Sequence, residues 1–176
     1  MKRLFLVVCA LLSLVGLSSA QNNRGPERIV KEVRHELVML PYYGVFDNLA
    51  YSINGGNVTL YGQVVRPSTR SDAEHRVKKI AGVTRVVNNI KVLPLSRFDD
   101  NIRVATYRSI ARTGGLNRYL RGTNPSIHIV VDSGHITLEG VVDNNGDKTL
   151  ANMAARQVPG SFSVTNNLRV GSEGIG

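Results

Sequence analysis

The chain has 176 residues, 22 lysines and arginines against 13 acidic residues, and one cysteine. A formal charge of +9 draws it toward anionic surfaces, and a lone cysteine excludes both an internal disulfide framework and a thiolate metal cluster. Neither a Walker pattern nor a Gly-x-Gly-x-x-Gly run opening a helix occurs, so no nucleotide site is expected.

Residues 1–20 read as a secretory signal peptide: Lys2 and Arg3, an apolar run over 4–17, then Ser18-Ser19-Ala20 as a small-residue cleavage site. The run is too short to span a bilayer of roughly 30 Å comfortably. Cys9 lies inside it and not just after a cleavage site, which argues against lipid attachment. Removing Lys2 and Arg3 leaves a charge of +7 and no cysteine, so an exported chain of this kind meets phospholipid and lipopolysaccharide head groups more often than nucleic acid.

After a linker at 21–26, a first domain is expected over 27–93. Ile29, Val33, Leu37 and Leu40 recur at helical spacing, and Pro41 ends that helix. Leu49, Tyr51 and Ile53 alternate with polar residues, Asn54-Gly55-Gly56-Asn57 turns the chain, and Val58, Leu60 and Val64 complete a hairpin with one apolar face. Ser71 and Glu74 resemble a capping box, Ala73, Val77 and Ile80 form a buried stripe, and Gly82 stops the second helix before a last strand over 83–92.

A short connection at 94–98 leads to a second domain over 99–170, with residues 171–176 expected as a flexible tail. The plan repeats: a helix over 102–112, strand residues Ile127, Ile129 and Val131, a turn at 132–135, and a strand through Ile136, Leu138 and Val142. A helix lined by Ala151, Ala155 and Val158 follows, stopped by Pro159-Gly160, then a strand over 162–170. Shifting the sequence by 78 positions aligns 56–92 with 134–170 without a gap. The register keeps glycines, apolar residues and asparagines together, including Gly56/Gly134, Gly62/Gly140, Gly82/Gly160 and Asn88/Asn166. The expected fold is therefore α+β: two tandem αββαβ modules, each a three-stranded mixed sheet with two helices on one face.

Gly-x-Val-Thr-Leu-x-Gly-x-Val at 56–64, Gly-Val-x-x-Val-x-Asn-x-Ile at 82–90 and their counterparts in the second copy resemble the tandem BON-domain proteins of the bacterial envelope. The resemblance covers 27–170. It implies a non-enzymatic, periplasmic or secreted protein that associates with phospholipid membranes and supports envelope integrity or tolerance of osmotic stress. Some members of the family are instead parts of secretion or transport assemblies, so an adaptor for an envelope protein is the alternative.

The matched residues Gly56, Gly62, Gly82, Gly134, Gly140, Gly160, Asn88 and Asn166 are expected to serve turns, caps and strand edges. Pairing Val131 with Ile136 sets His128 opposite Glu139 on the face away from the core. No two of the four histidines have the i, i+4 spacing of a helical zinc site, and no serine, histidine and acid grouping stands out, so neither metal, cofactor nor catalytic residues are expected. Export and the lack of a Gly-x-x-Gly backbone clamp of the KH type argue against nucleic acid.

The stretch most suited to a membrane is Arg103, Tyr107, Arg108, Arg112, Leu116, Arg118, Tyr119, Leu120 and Arg121. Guanidinium groups pair with lipid phosphates while tyrosine and leucine settle at head-group depth. Changing Arg108, Arg112 and Tyr119 to serine is expected to leave a folded protein that binds less.

Overall fold

The computed structural model describes residues 24–122 and 124–171. The expected signal peptide, the start of the 21–26 linker and residues 172–176 of the tail lie outside the described residues.

The first amphipathic stretch forms α1 (Arg24–Val38), and its Ile29, Val33 and Leu37 enter a core with Leu40. The alternating residues form β1 (Asn48–Asn54) and β2 (Asn57–Val64), an antiparallel hairpin in which Ile53 lies opposite Val58 and Tyr51 opposite Leu60. Helix α2 (Pro67–Lys78) crosses over the sheet and returns the chain as β3 (Arg85–Asn88) and β4 (Lys91–Val92), both parallel to β2. Its N-terminus is set by proline at the first helical turn after an extended Arg66, so Ser71 sits inside the helix and the expected capping box does not form.

The second module runs α3 (Arg97–Arg112), a 3-10 turn (Leu116–Leu120), β5 (Ile127–Asp132), β6 (His135–Val142), α4 (Asn145–Arg156), β7 (Ser163–Asn166) and β8 (Arg169–Val170). Its pairings repeat the first module's at the 78-residue offset: Val58 against Val86 becomes Ile136 against Val164, and Val64 against Val92 becomes Val142 against Val170. The protein is thus mixed α+β in two repeated modules, as expected, each with its own apolar core between helices and sheet.

The closing strand differs from expectation by being broken in two in both copies. Asn88 sits at the break, where its Oδ1 accepts from Ile90 N–H at 3.2 Å and its Nδ2 donates to the Arg70 carbonyl and to Glu74 at 3.0 Å each. Asn166 does the same with Leu168 N–H at 3.2 Å and the Lys148 carbonyl at 2.9 Å. The side chain replaces a missing ladder bond and pins the crossover helix to the strand.

Gly62 and Gly140 lie within β2 and β6 and are neither turns nor caps. Their φ values are +113° and +118°, and a Cβ on either would overlap the backbone oxygen of Asn48 or Ser126 on the neighbouring chain segment. Only glycine admits that approach. Gly82 and Gly160 occupy a separate turn beyond the helix ends, with φ near the left-handed region at +91° and +82°.

The modules touch through the segment between α1 and β1. Ile129 N–H donates to the Val45 carbonyl at 2.7 Å, so this segment lies along the outer edge of β5. Val45 and Phe46 pack against the second module's core, and Lys91 forms an ion pair with Asp132. His128 is therefore buried and not a surface residue: its ring meets Tyr43 at 5.5 Å and its Nδ1 lies 3.3 Å from the Gly44 carbonyl. Its register opposite Glu139 is as expected. Burial holds the His128 pKa below the ordinary histidine range, against smaller opposing effects of Gly44, Asp47 and Glu139.

Candidate functional site

Helix α3 carries four of the nine residues singled out in the sequence, Arg103, Tyr107, Arg108 and Arg112, and its first turn fixes its position. Ser96 caps the helix by accepting from Asp99 N–H at 3.1 Å. The buried Asp99 carboxylate then accepts from Ser133 N–H at 3.0 Å and Gly134 N–H at 2.8 Å, which ties the helix start to the turn between β5 and β6. Ile102, Thr106 and Ile110 consequently face the core.

The opposite face exposes Arg97, Asn101, Val104, Arg108 and Arg112, a spacing of three and four residues that places them along one stripe. Arg108 and Arg112 make no hydrogen bond or ion pair among the described residues. Beside the stripe is a hollow of about 590 Å³ lined by Val104, Tyr107 and Arg108 of α3, Val45 and Phe46 of the docking segment, and Leu120. Tyr107 is half-buried and meets Phe46 edge-on at 6.3 Å. Arg121, exposed, directly follows Leu120 in the chain.

Four of the nine expected residues lie inside the module instead of facing solvent. Arg103 is buried, where it donates to the Val131 carbonyl at 2.7 Å and pairs with Asp100. Gly114 and Gly115, both with positive φ, fold the chain back after α3, so Leu116, Tyr119 and Leu120 fill the second core. The Tyr119 hydroxyl donates to Asp147 at 2.7 Å and accepts from Asp143 N–H at 2.9 Å. Burial pushes its pKa up to about 12, with the Asp143 amide opposing and the Asp147 carboxylate adding. Arg118 lies over the Tyr119 ring at 4.3 Å and bonds Asp147, whose side chain also receives the capping Asn144 at 2.9 Å. The chain reversal that buries this trio depends on two glycines, and helical periodicity carried past Arg112 gives no sign of it.

Sequence reasoning did not reach Asn101, Val104, Val45 and Phe46. The signal for the last two is the aromatic run Tyr42-Tyr43-Gly44-Val45-Phe46, which has more apolar surface than a solvated loop needs. Among the described residues no group of three or more histidine, cysteine or acidic side chains is placed to hold a metal, and no helix is long and apolar enough to cross a membrane.

Fold and repeat together define a tandem pair of αββαβ modules joined edge to segment, with a basic helical stripe on the second. Residues 27–94 and 98–172 each match the BON domain, and the chain belongs to that family. Two solved structures of CdsD, a structural protein of the type III secretion system of Chlamydia trachomatis, are similar at low identity. Its C-terminal domain matches at 12% identity and a TM-score of 0.34, covering 81% of this chain and 96% of that one. The other structure gives 13% and 0.30, over 84% and 95%. No curated protein matches the chain.

Proposed function

We propose that this is an exported, non-catalytic envelope protein, periplasmic or secreted, that rests peripherally on anionic phospholipid surfaces and supports envelope integrity or tolerance of osmotic stress. The observation that carries the reading is the α3 stripe, where Arg108 and Arg112 are unpaired among the described residues on the same face as exposed Val104, with Tyr107 beside Arg108. Unpaired guanidinium groups next to partly exposed apolar side chains suit the head-group layer, where each basic residue contributes about 1 kcal/mol. Membership of the BON family supports the same reading. The test is co-sedimentation with vesicles containing phosphatidylglycerol at low and high salt. Binding that weakens with salt is expected, and no sedimentation at either salt would overturn it.

A second reading is an adaptor that docks to an envelope protein. It is favoured by a separate exposed tip where the rings of Phe98 and Phe162 meet at 5.9 Å, tilted by 36°, with Phe162 70% exposed. In the first module the positions matching Phe162 and His135 hold Thr84 and Asn57, bonded to each other, so the aromatic tip belongs to the second copy alone. Capture of one stoichiometric protein partner, lost on changing Phe98 and Phe162 to threonine while vesicle binding persists, is the outcome that selects this reading.

A further inference from the structure

A cleft of about 630 Å³ runs between the modules, walled by α1 and β1 of the first and by β5, β6 and β8 of the second. Its wall contains one cationic side chain from each module, Arg34 and Arg169, and neither has an acidic partner among the described residues. For Arg34 the sequence already dictates this, because the residues three and four away on its helix are Lys31, Val30, Leu37 and Val38. The wall's one carboxylate, Glu139, is engaged by Asn167 at 2.7 Å. Burial holds the pKa of the His128 imidazole below the ordinary histidine range, as described.

The two copies of the repeat show what is particular to this wall. Arg169 lies beside Val141 across the sheet, as Lys91 lies beside Gln63 in the first copy. Lys91 is neutralised by Asp132 and its neighbour is polar. The second copy sets an unneutralised guanidinium against an aliphatic side chain that remains 38% exposed, with Leu49 and Tyr51 on the facing wall. Cation and uncovered apolar surface side by side match a ligand with an acidic head and a short apolar body, and a volume of several hundred Å³ at a junction of domains is of ligand size.

We infer that the cleft binds a monomeric anionic amphiphile, its phosphate or carboxylate held between Arg34 and Arg169 and its apolar part laid along Val141, Leu49 and Tyr51. The site is separate from the α3 stripe and does not rest on the membrane-surface reading. Bridging the two modules, the ligand stabilises their docked arrangement by mass action.

The test is an amide-shift titration of the purified protein with dihexanoyl phosphatidylglycerol and, separately, octanoate, both below their micelle concentrations. Saturable shifts at Tyr51, His128 and Val141 are expected with at least one probe, and the probe that binds names the acidic group as phosphate or carboxylate. Arg34→Gln and Arg169→Gln each weaken that binding about tenfold, the loss expected for one charge-assisted bond, and Val141→Gln weakens it without removing charge. All three leave vesicle co-sedimentation unchanged, whereas substitutions on the α3 stripe do the reverse. Both arginines are exposed and unpartnered among the described residues, so the variants keep the fold, which their remaining amide shifts report. No saturable shift at the cleft with either probe, or an affinity indifferent to both arginine substitutions, overturns the inference.

Discussion

Changing Arg108, Arg112 and Arg121 together to glutamine isolates the surface on which the membrane reading depends. All three are exposed and unpaired among the described residues, so their loss costs no internal contact and the melting temperature stays near that of the wild type. At about 1 kcal/mol for each basic residue near an anionic surface, the variant loses about 3 kcal/mol of partitioning energy, roughly a 150-fold weaker vesicle affinity at low salt. At 1 M salt the Debye length falls to about 3 Å and the gap between variant and wild type closes. Arg118→Gln is the internal comparison: that side chain is tied to Asp147 and the Tyr119 ring, so its loss lowers stability and changes partitioning little. The expected serine variant that includes Tyr119 is unsuitable for the same reason, since Tyr119→Ser opens the second core and takes the hydroxyl acceptor from Asp143 N–H. Vesicle affinity of the triple variant within threefold of the wild type, or a larger loss from Arg118→Gln, refutes the placement.

Three further outcomes follow from the fold. Gly140→Ala drives a Cβ into the Ser126 carbonyl at a positive φ, and chemical denaturation should show a loss of about 3 kcal/mol or more, from overpacking and backbone strain together; a loss below about 1 kcal/mol contradicts the assigned backbone. Asn166→Ala removes the bonds to Leu168 and Lys148 that bridge the strand break, at a cost of about 2 kcal/mol by urea titration, with faster amide exchange in β7 and β8 as the local readout. For His128, a folded pKa below the ordinary 6.5 means the unfolded chain takes up the proton first. Its contribution is therefore complete above about pH 6.5 and declines as pH falls toward the folded value, so wild type loses more stability between pH 7.5 and 5.5 than His128→Gln. The comparison cancels Asp47, whose pKa burial raises and which acts in the opposite sense. Parallel pH profiles for the two proteins count against a buried neutral imidazole.

The two modules were readable because apolar period and glycine spacing repeat at a fixed offset, and each period is a local property of its own segment. The pairing of Val131 with Ile136 followed from the hairpin for the same reason. What was not legible arose from distance. Arg103 looks like any arginine on an amphipathic helix, yet a carbonyl 28 residues away receives it. Leu116, Tyr119 and Leu120 continue an apparently amphipathic stretch, and only the double-glycine reversal sends them inward. His128 has the parity of a solvent-facing residue, and it is buried because a segment more than eighty residues earlier covers it. One sign was present: Val130 shares that outward parity, and an aliphatic residue there marks a strand covered on both sides.

The strap of residues 43–47 along β5 has a consequence for how the pair behaves as a whole. Without it, β5 presents a row of unused amides and carbonyls on a strand with four aliphatic side chains in six, an arrangement prone to pairing with a neighbour's strand. The first copy thus serves as the guard of the second, and a fragment beginning at the linker inherits a sticky border that the intact chain never shows to its surroundings.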